Sequence, residues 1–320
     1  MNLLEKTFIK FLKHENLTGK KLLLSVSGGV DSMVLLHVAS KTISTALLSV
    51  FHLDHGARAQ SKKDLLFVQK NCSIKKIKFY EEHLKTLPAK NREEFWRKER
   101  KRLSQKAQKD FGAVRILTAH HATDLVETML FRLTKGCGAG GLSPFDTSTK
   151  PFWNVPKSDI EQYAKKYNVQ YITDESNEDV TYERNLIRHK VVPELRKITP
   201  NLEKVFVTES EIFGETEKFI MHSVGTCHGM SLQTRNRALP EFLALPVILQ
   251  SEFLRLIAKR PPSFDETSDC LRWLHNNPKG NSTKTIGGTK IQLKQNMLHW
   301  EGPTPCSGYL LDLVGILFLS

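Results

Sequence analysis

The 320-residue chain is 40% hydrophobic and 25% charged, which excludes the fibrous and disordered classes and leaves room for two domains. Its 47 Lys and Arg against 34 Asp and Glu give a formal charge of +13 and a pI near 9.4; that balance favours a polyanionic partner, nucleic acid first, with a solvated basic surface as the plain alternative. Cys72, Cys137, Cys227, Cys270 and Cys306 form no C-x-x-C pair, so neither a zinc ribbon nor a disulfide framework is expected, and free thiols in a reducing compartment are.

Residues 1–17 carry Glu5, Lys6 and Lys10 inside an apolar run, which predicts an amphipathic helix in place of a secretion signal. The apolar stretch Leu310 to Leu319 contains Asp312 and is too short to span a bilayer. A cytoplasmic protein with no membrane partner is therefore expected. Leu22 to Val26 reads as a buried strand, followed by a Gly-rich turn and helical spacing from Met33 to Ser40. Ala46 to Leu53 reads as a second buried strand, and Lys75 to Tyr80 alternates as a third. Strand, helix, strand in this rhythm means a parallel sheet covered by helices.

From Asn91 to Phe111 the composition is helical, with seven Lys or Arg against one Glu between Arg97 and Lys109. Such a run is ordinarily a solvated helix face. Val114 to Ala119 predicts a further strand, then His120-His121 and a helix through Leu133 that Gly136 to Gly141 ends. A helix over Lys157 to Tyr167, capped by Ser158, and a short strand over Gln170 to Thr173 follow. Leu202 to Ile220 is a long amphipathic pattern, and Leu239 to Ile257 suggests one or two helices. Asn276 to Gly288 is turn-rich, while Lys290 to Leu293 and Met297 to Trp300 hint at strands.

The turn Ser27-Gly28-Gly29-Val30-Asp31-Ser32 carries the most chemistry. A strand delivering this hexapeptide into a helix surrounds a concavity with backbone N–H groups at the positive end of a helix dipole, and phosphate oxygens fit there. The glycines allow close approach, and the hydroxyls of Ser27 and Ser32 add donors. Asp31 is out of place beside phosphate unless Mg2+ accompanies the nucleotide. The spacing is not that of a Walker loop, and a bare tight turn is the alternative. His52, Asp54 and His55 follow the second strand and so emerge at the carboxyl edge of the sheet, where ligands of open α/β folds bind. After the later strand, Asp124 and Glu127 stand three apart on one helical face and could hold an ammonium group; His120-His121 could be packing groups or a metal pair. The stretch from Asp174 to Arg188, with Asn177, Arg184, Asn185 and Arg188, mixes arginine and amide donors suited to phosphate and base edges. In isolation it would read as a helix start with solvated arginines.

The hexapeptide resembles the signature of the PP-loop ATP pyrophosphatases, which cleave ATP between the α and β phosphates and activate an oxygen as an adenylate. Taken together and in order, the loop, His-Leu-Asp-His-Gly-x-Arg from His52, Arg97 with Arg100, His-His-x-x-Asp-x-x-Glu-Thr from His120, Arg132 to Gly138, and Asp174 to Arg188 resemble the tRNA(Ile)-lysidine synthetase family over most of residues 20–195. Leu239 to Ile257 resembles that family's small helical substrate domain. The resemblance implies a PP-loop, Rossmann-like α/β domain (residues 1–215) with a parallel sheet, and a smaller, mainly helical C-terminal domain (residues 216–320) that binds tRNA or substrate. It implies an ATP-dependent carbon–nitrogen ligase that adenylates carbon 2 of the wobble cytidine of a CAU-anticodon isoleucine tRNA and then adds free L-lysine. By the same resemblance the loop residues, with His52, Asp54, His55 and His120, hold ATP, and Asp31 holds magnesium. Asp124 and Glu127 hold the lysine amino groups, and Arg100 its carboxylate or the adenylated base. Arg97, Arg132, Lys135, Asn177, Arg184, Asn185 and Arg188 meet the tRNA. A homodimer is left open.

The chain departs from the family pattern at three places. Thr123 stands where an aspartate precedes the second Asp, Trp96-Arg97-Lys98-Glu99-Arg100-Lys101 replaces an Ala-Arg-x-x-Arg-Tyr pattern, and Lys150-Pro151-Phe152-Trp153 replaces Arg-Pro-Leu-Leu. Lysine keeps the charge and loses the bidentate fork. The rivals are a tRNA thiolase, against which the lack of any C-x-x-C argues, a small-molecule amidating synthetase, and a tRNA-binding relative without turnover.

Overall fold

The apolar run after Lys21 forms an inner strand of a parallel sheet. In β1 (Leu22–Ser25) the side chains of Leu22, Leu23 and Leu24 are wholly buried, because helices cover both faces and leave no solvent side for polar alternation. Truncating any one to Ala is worth roughly 2–5 kcal/mol by cavity formation. The computed structural model describes residues 1–54, 61–83, 92–173, 183–226, 236–260, 262–276 and 281–302. The chain divides into two units, Met1–Leu130 with Pro144–Thr208, and Phe131–Ser143 with Glu209–Ser320.

In the first unit, β2 (Leu48–Asp54), β3 (Lys78–His83) and β4 (Arg115–Leu117) join β1 in the order β3-β2-β1-β4, all parallel. β3 starts three residues later than the alternation suggests, because α3 (Ser61–Ile74) runs on and Lys76 reverses the chain with φ 55°. α1 (Leu3–His14) is the expected amphipathic helix: Asn2 and Glu5 form a capping box, and Leu4, Phe8 and Leu12 are buried. α2 (Val30–Thr42) follows β1, α4 (Arg92–Phe111) precedes β4, and α5 (Ala122–Lys135) follows it. The chain leaves β1 in one direction for β2 and β3, then returns to the other side for β4. This creates a switch point between the carboxyl ends of β1 and β4, the place where open α/β folds bind their ligands.

Beyond the sheet come α6 (Lys157–Lys166), α7 (Glu183–Leu186), a π-type turn at Ile187–Val191, α8 (Val192–Ile198) and α9 (Leu202–Thr226). Two local expectations change. Ser158 does not cap α6: the helix starts after Pro156, so Ser158 lies inside its first turn. Gln170 to Thr173 is no strand, since its backbone is used singly, with the Ile172 N–H donating to the Gly28 carbonyl at 3.0 Å. Phe152, in the divergent Lys150 to Trp153 segment, is fully buried and packs near Phe8, with ring centroids 6.5 Å apart. Its size therefore fills core volume.

The second unit holds α10 (Leu239–Leu243), α11 (Val247–Ile257) and α12 (Phe264–Asn276) with an antiparallel sheet ordered β5-β8-β7-β6. Its strands are β5 (Asn236–Ala238), β6 (Ser282–Ile286), β7 (Thr289–Lys294) and β8 (Met297–Trp300). β7 and β8 fall where the tail hints at strands. β6 lies inside the turn-rich stretch, because alternate residues there pair with β7 and Ile286 reaches the core. Phe253 meets Phe242 and Trp300 edge-on at 5.4 and 5.3 Å, which adds quadrupolar attraction to the burial.

The Gly-rich stretch after α5 belongs to this unit. A Cβ on Gly140 would lie 1.8 Å from Glu217 Oε1, so a side chain there would push the Glu217 carboxylate aside. Burial, and then the charge of Glu252, raises the Glu217 pKa; burial also raises that of Glu252, against Arg255. The folded chain thus keeps protons that the unfolded chain has released, and these groups cost stability as pH rises past the ordinary glutamate value. Glu217→Gln is expected to raise the thermal midpoint at pH 7 by about 2–4 °C. The gain over the parent should shrink as pH falls toward 4.5, as melts at both pH values will show.

Candidate active site

The loop between β1 and α2 is built by its own hydroxyls. Ser32 Oγ accepts the N–H groups of Ser27 and Gly28, each at 3.2 Å, and donates to the Gly29 carbonyl at 3.0 Å. Gly28 has φ 99°, a conformation that a side chain resists, and a Cβ there would also press Ile172 at 3.0 Å. Gly29 then leads into Val30 and Asp31 at the amino end of α2, so the loop presents a positive helix terminus.

His52, expected to touch nucleotide, is buried and donates from Nδ1 to the Val26 carbonyl at 2.8 Å. It braces the residue immediately before the loop. Asp54 at the end of β2 is buried and accepts from His83 Nδ1 at 3.0 Å. His55, Asn177 and the side chain of Arg97 lie outside the described residues.

Across the switch point, α5 brings its first turn toward Asp31. His121, not His120, is the organising histidine. It is 2% exposed, and its Nε2 stands 3.6 Å from Asp31 Oδ1 and 3.5 Å from Asp124 Oδ2. Its Nδ1 accepts the Asp124 N–H at 3.3 Å, and its own N–H donates to Asp124 Oδ2 at 3.1 Å. Burial disfavours the imidazolium, yet Asp31 and Asp124 outweigh it and raise the His121 pKa. Burial likewise opposes charge on Asp31, but His121, followed by Lys157 and Arg188, holds its carboxyl below the ordinary value. His120 is exposed, bonded through Nδ1 to Thr118 Oγ1 at 2.9 Å, with its ring edge on Phe145. Among the described residues no three acidic, His or Cys side chains form a metal cage.

Glu127 is 1% exposed, and Arg188 donates to both of its oxygens, from Nε at 2.7 Å and from a terminal nitrogen at 2.8 Å. The same guanidinium stands 3.7 Å from Asp124 Oδ1. Glu127 is therefore a paired carboxylate rather than the open one that the sequence suggests, because a charge so deeply buried needs a partner. Arg188 turns inward to supply it, and Arg184 joins at 3.9 Å from Glu127 while bonding Thr128 Oγ1 at 2.8 Å. A π-type turn such as the one bearing Arg188 recurs at functional sites. Asn185 is half-buried on α7, and Arg100 is exposed on α4, one turn before buried Leu103. In the second unit, Arg132 donates to the Gly141 carbonyl at 3.0 Å, and exposed Lys135 lies 5.5 Å over the Phe131 ring.

Lys157 and Glu203 reach this region without a sequence signal of their own, while His121 stood out only as a packing group or metal partner and Thr123 only as a departure from the family pattern.

Residues 2–195 match a family described as a PP-loop domain. The tRNA(Ile)-lysidine synthase of Petrotoga mobilis is 31% identical over 307 residues, which cover 92% of this chain and 97% of that one. The chain belongs to the tRNA(Ile)-lysidine synthase family. The Thermotoga maritima tRNA(Ile)-lysidine synthase is 37% identical over 201 residues, 58% of this chain and 47% of that longer protein. A Francisella tularensis subsp. holarctica tRNA(Ile)-lysidine synthase is 28% identical over 88% of this chain and 74% of its own. Among solved structures, the U34-tRNA thiolase NcsA from Methanococcus maripaludis with its [4Fe-4S] cluster matches with TM-score 0.55 and 16% identity, covering 66% of this chain and 80% of that one. At that identity the likeness shows the shared PP-loop fold alone. Membership of the tRNA(Ile)-lysidine synthase family implies the use of ATP.

Proposed function

We propose that the protein is a cytoplasmic ligase that adenylates the carbon-2 oxygen of the wobble cytidine of a CAU-anticodon isoleucine tRNA and joins free L-lysine there through its ε-amine. In the first step the cytidine oxygen attacks the α-phosphorus of ATP and pyrophosphate leaves. In the second, the amine attacks carbon 2, its proton passes to a base, and AMP departs. The observation that carries this reading is the meeting of Asp31, His121, Asp124 and the Glu127–Arg188 pair at the carboxyl edge of β1 and β4.

The loop's N–H groups and the α2 terminus stabilise charge gathering on the departing pyrophosphate, where fixed dipoles act without reorganising. Asp31 Oδ1 is buried and has no hydrogen-bond partner, so the site fits a magnesium ion held by one carboxylate and the nucleotide phosphates. Bound there, magnesium would neutralise developing phosphate charge. Asp124, whose side chain is 17% exposed and whose Oδ1 stands 3.7 Å from Arg188, is the less enclosed of the two carboxylates toward an incoming amine. Free lysine has an amine pKa near about 10.4, so deprotonation must precede attack, and Asp124 can accept that proton. Arg188 and Arg184, gathered at Glu127, would meet the tRNA, and Arg100 the lysine carboxylate or the adenylated base. The second unit adds contacts to the tRNA, and binding is expected to weaken steeply with salt.

Radiolabelled lysine, a transcript of the cognate tRNA and ATP provide the test. Label should enter the tRNA only with ATP present, accompanied by AMP and pyrophosphate. ATP-independent labelling, or none by a folded preparation that binds ATP, would sink the proposal.

A further inference from the structure

We propose that Thr123 and Glu203 are positioning residues for the amine-accepting carboxylate, Asp124; the inference rests on the lysine-transfer reading above. Thr123 immediately precedes Asp124 and is buried, with both capacities of its hydroxyl used. Oγ1 donates to Glu203 Oε1 at 3.1 Å and accepts the Lys157 N–H at 3.3 Å. Three elements thus converge on the residue before Asp124. Lys157 opens α6, whose amino end lacks a capping side chain of its own. Glu203 sits in the first turn of α9, and Arg196 of α8 pairs with it.

The charges are arranged to persist. Burial works against the Glu203 carboxylate, but Arg196 and the Thr123 hydroxyl outweigh it and hold its pKa below the ordinary value. Glu203 is therefore an anion at neutral pH and a strong acceptor for the threonine proton. On the other side of the same short segment, His121 bonds Asp124 through its backbone N–H and approaches both Asp124 and Asp31 through Nε2. Thr123 is the fixed end of this arrangement. Losing its hydroxyl would leave the Lys157 N–H and a Glu203 oxygen without their partner in a buried place, and the first turn of α5 would relax. A misplacement of about 1 Å at reacting groups costs on the order of a hundredfold in rate. Neither residue touches the loop at Ser27–Ser32, so ATP binding should not report the change.

The test compares Thr123→Val, Thr123→Ser and Glu203→Gln with the parent enzyme, all checked by thermal melting. Two reactions are followed: lysine-independent pyrophosphate release with tRNA, and lysine incorporation. Thr123→Val is expected to keep its ATP KM and its pyrophosphate release, and to lose tenfold or more in kcat for lysine incorporation. Thr123→Ser should restore it. Glu203→Gln should lose less, and combining it with Thr123→Val should add little further. Unchanged incorporation per folded molecule in Thr123→Val, equal loss in Thr123→Ser, or additive losses in the double variant would each overturn the proposal. If Thr123→Val does not fold, the Glu203→Gln and Thr123→Ser pair decides by the same two readouts. A parent enzyme that incorporates no lysine defeats the functional reading; an active parent with indifferent variants defeats only this inference.

Discussion

Asp31→Asn is expected to cut tRNA-dependent pyrophosphate release by about a thousandfold, the scale of removing one preorganised group from a developing phosphate charge, while leaving the fold intact. Asparagine is nearly isosteric and keeps one oxygen, so the start of α2 should not move. What changes is charge. Asp31 is held ionised by His121, Lys157 and Arg188 despite its burial, and its Oδ1 has no hydrogen-bond partner. An unpartnered buried oxygen of this kind is costly unless a ligand completes it. The substitution also removes one of the two anions that raise the His121 pKa, so that pKa should fall in the variant, as NMR titration of the ring will show. Pyrophosphate release within a few-fold of the parent would mean that Asp31 neither binds metal nor acts on the phosphates.

Arg188→Ala is expected to abolish measurable lysine incorporation and to destabilise the first unit. Glu127 is 2% exposed at its side chain and Arg188 is 30% exposed. Removing one partner of a buried pair costs about 3–5 kcal/mol, because the other charge stays behind without compensation. The partial exposure of Arg188 puts this case toward the lower end. Adding Glu127→Gln to Arg188→Ala should recover much of the stability in urea unfolding and none of the activity. A double variant no more stable than Arg188→Ala would show that the pair contributes through packing and not through charge.

The parallel sheet was legible because its strands are short continuous apolar runs alternating with helical stretches, and a sheet covered by helices buries Leu22 to Leu24 on both faces. The Gly-rich loop was legible because its glycines and serines are needed locally, within six residues. The rest of the site depends on distance in three dimensions. Nothing near Glu127 in sequence says that Arg188, 61 residues away, will occupy its carboxylate. Nothing at Glu203 says that a hydroxyl 80 residues earlier will meet it. His52 looked like a ligand because it ends a strand at the crevice; its ring turns back to Val26 since a buried donor must find an acceptor. The capping expectation at Ser158 failed for a related reason, the helix's first N–H being satisfied by Thr123 from another element. β6 escaped notice because threonine and lysine alternate there with little apolar signal until Ile286.

The sheet order β3-β2-β1-β4 also bears on how the enzyme is made. Its inner strand β1 is flanked by one neighbour that follows soon after it and another that arrives only after two further strands and their helices. Contacts of such long sequence separation close late, after the entropy of the intervening loops has been spent. A nascent chain can dock β2 on β1 early, but it cannot bring Asp31, Asp124 and the Glu127–Arg188 pair together until α5, α7 and the beginning of α9 have emerged. Until then β1 presents an unpaired edge beside the loop, a surface prone to wrong pairing. Nucleotide supplied during refolding should therefore speed nothing until β4 has docked, and should protect the finished domain once it has.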